Sequence, residues 1–286
     1  MLSYNKAFYS LKNALQPLYD AQEAAAIAHE VLEHITGLSK MQRLIDKDNL
    51  LTDTQQQQYD SMQAALLKGI PMQYVLGHAW FMGRQFMVDD NVLIPRPETE
   101  ELVQWIIDDH RDKTNLSILD IGTGSGCIPI SSQLVLPHAT VTSCDISEGA
   151  LNTARKNATT LGADVNFLQR DILNEREQQQ LDTYDIIVSN PPYIPINEKE
   201  TLHENVRNHE PGLALFVPEN DPQLFYREIA KFALNHLKPG GQLYFELHVD
   251  YAQETEALLK TMGYTTELRK DMHGNWRMVR GNNFTI

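Results

Sequence analysis

The residues with the clearest chemical potential are Asn190-Pro191-Pro192-Tyr193. They follow an apolar run, Tyr184-Asp185-Ile186-Ile187-Val188-Ser189, that reads as a buried strand. A carboxamide, two rigid residues and an aromatic ring therefore stand at a strand's carboxyl end, the edge where open α/β sheets bind ligands. The set suits methyl transfer to a planar nitrogen. Such a nitrogen is a poor nucleophile because its lone pair is delocalised. Acceptors on its two N–H bonds stabilise the charge that develops as it attacks. The Asn190 side-chain oxygen can be one acceptor and the Pro191 carbonyl the other. Pro191 and Pro192 restrict φ and bring no N–H donor, and Tyr193 offers a flat face to a flat group. Taken alone, the tetrapeptide reads equally well as a turn after a strand.

A second constellation precedes it. Asp120-Ile121 runs into Gly122-Thr123-Gly124-Ser125-Gly126, a glycine loop between a strand and a helix that lets backbone approach a ligand closely. The spacing Gly-x-Gly-x-Gly differs from the dinucleotide fingerprint, whose last gap is two residues. The next strand ends at Asp145, where a carboxylate can take both hydroxyls of a ribose. The third ends at Arg170-Asp171-Ile172, where Asp171 can accept from an adenine amino group and Ile172 can pack on its ring. Singly, Asp145 or Asp171 reads as a helix N-cap. The ordered set of loop, acid, acid and Asn-Pro-Pro-Tyr reads as a site for an adenosine-type ligand with a transfer site beside it.

These residues need a frame. Strand candidates are Leu116–Ile121, Thr140–Cys144, Val165–Gln169, Tyr184–Ser189, Gln242–Leu247, Tyr264–Leu268 and Trp276–Val279, with helical stretches between them. That alternation implies a mainly parallel sheet with helices on both faces, over residues 98–286. Residues 1–70 read as a small helical bundle. The strong helix formers of Ala21–Leu32 mark one helix, and Thr52-Asp53 caps another through Gln55–Leu67. Residues 71–97 read as a hairpin-like connector, with short strands at Tyr74–Gly77, Phe81–Val88 and Val92–Pro95 around turns at Gly83 and Asp89–Asn91.

Composition narrows the partners. The chain of 286 residues carries a net charge of −14. It has no Lys/Arg cluster of the kind that tracks phosphates, so acidity suits a small molecule or a protein substrate, a basic one included. No apolar run reaches the length of a membrane span, and the N-terminus has no signal-peptide pattern. Cys127 and Cys144 lack metal-ligand spacing and read as small buried hydrophobes in a reducing compartment. The ten histidines show no ligand spacing, so no metal is expected.

The layout resembles that of class I S-adenosylmethionine-dependent methyltransferases, and Asn-Pro-Pro-Tyr narrows it to those acting on amide or exocyclic amino nitrogens. More of the chain is similar to the HemK/PrmC family, the release-factor glutamine N5-methyltransferases. The stretches that carry this are Pro71–Gly77, Phe81-Met82-Gly83, Leu93-Ile94-Pro95-Arg96-Pro97-Glu98-Thr99-Glu100, the glycine loop, Asn190–Ile194, Glu210-Pro211 with Ala214-Leu215, and Leu237–Gly241. The chain departs from the pattern at Leu247-His248 after Glu246, where a glycine is usual, and at His209, where an aromatic is usual. The resemblance implies a Rossmann-like seven-stranded methyltransferase domain behind a substrate-recognising helical domain. It implies S-adenosyl-L-methionine as cofactor, S-adenosyl-L-homocysteine as product, and a cytoplasmic enzyme with no nucleic-acid or membrane partner. The substrate implied is the glutamine of the Gly-Gly-Gln motif of peptide chain release factors. Gly122, Thr123, Gly124, Ser125 and Gly126 would bound the methionine portion, Asp145 the ribose, and Asp171 and Ile172 the adenine. Asn190, Pro191, Pro192 and Tyr193 would address both the transferred group and the glutamine. Two alternatives are an exocyclic amine of a nucleic-acid base as substrate, extruded to stack on Tyr193, and a cofactor-binding module without catalysis.

Overall fold

The computed structural model describes residues 1–283. The chain divides into two compact units, Met1–His78 with Glu204–His209, and Ala79–His203 with Glu210 onward.

The first unit is helical: α1 (Tyr4–Leu15), α2 (Ala21–Thr36), α3 (Lys40–Ile45), α4 (Asp53–Leu66) and α5 (Met72–Leu76). Ala7, Leu11 and Leu15 form one stripe of α1, spaced one turn apart, and pack with Ala24, Ile27 and Val31 of α2 in a shared core. Asp20 caps α2 through the Gln22 and Glu23 amides. Thr52 and Gln55 form a reciprocal capping box that starts α4. The strand expected at Tyr74–Gly77 is instead the end of α5. Leu76 is buried in the bundle core, with Met72 and Val75 packed against it, at helical spacing. Gly77, at φ 75°, closes the helix by donating its N–H to the Gln73 carbonyl. Five residues are too few for periodicity to separate helix from strand.

The second unit, from Ala79, opens within the hairpin of β1 (His78–Phe81) and β2 (Arg84–Met87), turning at Met82-Gly83. Val92–Pro95 forms no strand; the Ile94 N–H donates to the Glu210 carboxylate rather than to a ladder. Then follow α6 (Pro97–His110), β3 (Ser117–Ile121), α7 (Cys127–Val135), β4 (Thr140–Asp145), α8 (Glu148–Leu161), β5 (Val165–Gln169), α9 (Glu175–Gln178) and β6 (Tyr184–Ser189). Short pieces come next: β7 (Ile194–Pro195), a 3-10 turn at Ile196–Thr201, α10 (Glu204–His209, grouped with the first unit), α11 (Gly212–Leu215) and β8 (Phe216–Val217). The unit closes with α12 (Leu224–His236), β9 (Leu237–Glu246), α13 (Ala252–Thr261), β10 (Tyr264–Lys270) and β11 (Trp276–Asn283).

Seven strands form one sheet in the order β10-β11-β9-β6-β3-β4-β5. The five strands from β9 to β5 run parallel, and β11 is antiparallel to both its neighbours. Successive side chains of a strand face opposite sides, and here both sides are covered. Ile186 and Val188 pack with Leu102, Ile106 and Ile128 on one face. Ile187 packs with Ile229, Phe245 and Leu259 on the other. This is why the central strand β6 reads as a nearly continuous apolar run.

Candidate active site

Register brings the site together. Ile121 pairs with Cys144 on one side and with Ser189 on the other, and Ser189 pairs with Phe245. The following residues, Gly122, Asp145, Asn190 and Glu246, therefore emerge at one level along one edge of four adjacent parallel strands. Strand order reverses direction at β3, which makes its carboxyl end a topological switch point. A cavity of about 260 Å³ opens there, lined among others by Gly122, Gly124, Asp145, Ile172 and Asn190.

The glycine loop is held from below and from the side. The Gly122 and Thr123 amides donate to the Cys144 carbonyl at 2.8 and 3.2 Å. The Gly124 amide donates to Asp145 Oδ2 at 3.0 Å, and the Ser147 amide donates to Oδ1 at 2.8 Å. Each carboxylate oxygen keeps a further lone pair for a ligand hydroxyl. Ser147, not Asp145, caps α8. Burial raises the Asp145 pKa, and the backbone donors from Ser147 and Gly124 oppose the rise. Gly126 is not among the cavity-lining residues. It lies against α8, where a Cβ would stand 3.1 Å from Ala154 Cβ and 2.8 Å from Ile130 Cδ1. Beneath the loop a buried chain runs from Thr123 Oγ1 to Ser143 Oγ to Asp120 Oδ2, each step 2.6 Å. Burial pushes Asp120 up to about 7, against the lowering effect of the Ser143 hydrogen bond.

Asp171 and Ile172 both line the cavity. Asp171 Oδ1 accepts from the Leu173 amide at 2.9 Å, and the N-cap of α9 is Asn174, so Asp171 caps no helix.

Asn190 lines the cavity with Pro191 and Pro192. Its Nδ2 donates to Thr99 Oγ1 at 3.3 Å, and Thr99 Oγ1 donates to Glu246 Oε2 at 2.5 Å. The carboxamide oxygen takes part in none of these bonds. Tyr193 stands apart from the lining: its ring packs against the sheet core and lies edge-on to His248 at 5.5 Å. Burial raises the Tyr193 pKa and lowers that of His248, one of the two positions that depart from the family pattern.

A model of the "Methyltransferase domain" matches residues 112–280, and one of the "PrmC N-terminal domain" matches residues 10–77. The release factor glutamine methyltransferase of Flavobacterium psychrophilum is 43% identical over 273 residues, 94% of this chain and 95% of that protein. The one from Bacteroides thetaiotaomicron is 41% identical over 279 residues, 97% and 99% of the two chains. The chain belongs to the release factor glutamine methyltransferase family. Among solved structures, a methyltransferase from Pyrococcus furiosus superposes with a TM-score of 0.53 at 18% identity, over 79% of this chain and 99% of that one. It shares the class I methyltransferase fold that the strand pattern and the resemblance implied.

Within this family frame, several residues of the site had escaped the sequence reading. Thr99 and Glu246 stand behind Asn190, although Thr99 lies in the Pro-Arg-Pro-Glu-Thr-Glu stretch. Arg96 and Glu210 form an ion pair at 2.5 Å with the Glu210 side chain only 1% exposed. That pair ties the Ile94–Pro97 segment to the segment before α11. Asp120, one residue before the end of β3, is a fully buried acid that no local pattern marks as such. The available signal was the motif stretches themselves; nothing local says which of their residues touch. Among the described residues, no group of three or more His, Cys, Asp or Glu is placed to hold a metal, and no helix is long and apolar enough to cross a membrane.

Proposed function

We propose that this chain transfers a methyl group from S-adenosylmethionine to the side-chain amide nitrogen of a glutamine, the one in the Gly-Gly-Gln motif of peptide chain release factors. The observation that carries this reading is the Asn190 carboxamide at the cavity edge, its Nδ2 committed to Thr99 and its oxygen left for a donor. Family membership supplies the identity of the substrate protein.

The residues present fit such a cofactor. Asp145 offers free lone pairs on both carboxylate oxygens for a vicinal diol, and Gly122 and Gly124 bring to the cavity backbone that carries no side chain of its own. Asp171 and Ile172 offer an acceptor and an apolar wall for an adenine. When bound, the cofactor supplies a methyl group made electrophilic by its sulfonium. The chain's own part is binding and orientation. Asn190 Oδ1 and the Pro191 carbonyl take the two amide hydrogens, which draws the nitrogen lone pair out of conjugation and stabilises positive charge on nitrogen. Fixing that nitrogen in line with the methyl group is a gain of orientation, with no covalent intermediate required; as the N–CH₃ bond forms the S–CH₃ bond would break, a neutral thioether would leave, and the nitrogen would give up one N–H proton to water. In this reading the N-terminal bundle recognises the release factor, and Tyr193 supports the glutamine-facing segment.

The test is incubation of the purified chain with radiolabelled S-adenosylmethionine and release factor, beside a release factor whose Gly-Gly-Gln glutamine is replaced. Label on the first and not on the second is the expected result. Label on nucleic acid instead would move the substrate to a base amine.

A further inference from the structure

A carboxamide has one accepting arm and one donating arm, and methyl transfer to an amide needs the accepting arm toward the substrate. Something must choose. The two arms are nearly equal in size, so packing alone discriminates poorly between them; hydrogen bonding must do it. Asn190 is bonded to Thr99 Oγ1, and Thr99 is bonded to Glu246. Both Thr99 and Glu246 are buried, at 2% and 1% exposure.

The Thr99 hydroxyl has a single hydrogen. With Glu246 ionised, that hydrogen goes to Oε2, and only lone pairs of Thr99 face Asn190. Asn190 must then donate with Nδ2, which turns Oδ1 toward the substrate. With Glu246 protonated, the chain can run the other way: the carboxyl O–H donates to Thr99, Thr99 donates to Asn190 Oδ1, and the NH₂ arm is left facing the substrate's own N–H bonds. We propose that Thr99 and Glu246 are positioning residues that set the direction of a hydrogen-bond chain ending at Asn190, so that its carboxamide presents oxygen to the substrate amide. This inference rests on the amide-methylating reading given above.

The surroundings of Glu246 place its ionisation within reach of ordinary pH. Burial raises its pKa to about 7; the Thr99 hydrogen bond, Arg277 on β11 and Arg96 before α6 pull it down, and Glu98 pushes it up. Tyr193 after β6, Tyr226 on α12 and Cys127 on α7 also feel its charge, and the Tyr226 hydroxyl donates to its backbone carbonyl at 3.1 Å. Turnover should accordingly fall as pH drops through the neutral range and Glu246 takes up its proton.

The experiment compares wild type, Thr99→Val, Thr99→Ser and Glu246→Gln on intact release factor, with kcat, KM and cofactor affinity measured from pH 6 to 9. Thr99→Val keeps the shape and removes the hydroxyl. It should lower kcat by about 10- to 100-fold, with KM and cofactor affinity near wild type. Thr99→Ser keeps the hydroxyl and should restore most of that turnover. Glu246→Gln should lose the acid limb of the profile, because its neutral carboxamide cannot titrate. Wild-type kcat in Thr99→Val, equal damage in Thr99→Ser, or an acid limb that persists in Glu246→Gln would each overturn the inference while leaving the function intact. A wild-type chain that fails to label release factor would overturn the functional reading and this inference together.

Discussion

The backbone amide of Gly124 donates to the carboxylate of Asp145 at 3.0 Å, so the loop after one strand is pinned by the acid that ends its neighbour. The bond has two consequences. It holds the glycine loop in its open shape, and it orients Asp145 with a lone pair on each oxygen still available. Replacing Asp145 by Ala should weaken cofactor binding by about 10- to 100-fold, or roughly 1.4–2.8 kcal/mol. Calorimetric titration with S-adenosylhomocysteine checks this. Unchanged affinity would mean that Asp145 serves only the loop.

Asn190 belongs to a different step. Asn190→Ala removes an acceptor that acts as charge develops on the amide, so turnover should fall by about 100-fold or more. Cofactor affinity should stay within a few fold, since Asp145 and the glycine loop remain. Single-turnover methylation of release factor, set beside the same titration, separates the two effects. Near wild-type turnover would remove Asn190 from the reaction.

Asp120 makes stability depend on pH with a definite sign. Its folded pKa is about 7, raised by burial from an unfolded value near 3.9. The folded state therefore binds the proton more tightly than the unfolded chain. The resulting stability is fully present below about pH 4 and is lost as pH rises toward 7. Asp120→Asn cannot ionise and keeps an acceptor for Ser143. Its Tm minus that of wild type should grow from pH 4 to pH 7 and level off above. Taking the difference cancels the opposite trend from His110, which burial holds down at about 4 and which favours folding as pH rises to 6.5. Parallel Tm curves for the two proteins would show that Asp120 is not raised.

Gly126 is constrained twice. Its φ is 82°, and a Cβ would meet Ile130 and Ala154 closer than side chains normally pack. Gly126→Ala should destabilise the fold by roughly 2–4 kcal/mol, combining left-handed backbone cost with overpacking. Urea denaturation measures it; a loss below half of that range would mean α7 and α8 can separate easily.

The Arg96–Glu210 pair gives a further prediction. Arg96→Met leaves the buried Glu210 carboxylate without its cation; because the Arg96 side chain is itself a third exposed, water can partly replace it, and the loss should be about 1–3 kcal/mol. Arg96→Met with Glu210→Gln should recover much of the loss. Thermal melts of the single and double variants form the cycle. Additive losses would mean the pair is not coupled.

What the sequence by itself determined was local. The apolar run Tyr184–Ser189 set a strand with Asn190 at its end, because a strand buried on both faces must be apolar throughout. Thr52-Asp53 marked a helix start, because a side-chain oxygen three residues before an amide closes a cap; that Gln55 closes the box in return is seen in the structure. The glycine loop, Asp145, Asp171 and Asn190 could each be put at a strand's carboxyl end, whereas their order along the sheet edge, with Asn190 beside the glycine loop, came from strand order. The five-residue helix at Met72–Leu76 could not be told from a strand, as one turn carries no period. Which Thr and which Glu stand behind Asn190 was decided only by tertiary structure. Thr99 meets Asn190 across 91 residues and Glu246 across 147, contacts set by sheet order and register. Periodicity and capping act within a few residues along the chain; the direction in which the Asn190 carboxamide faces depends on side chains brought to it by parallel strands, and no local pattern encodes that pairing.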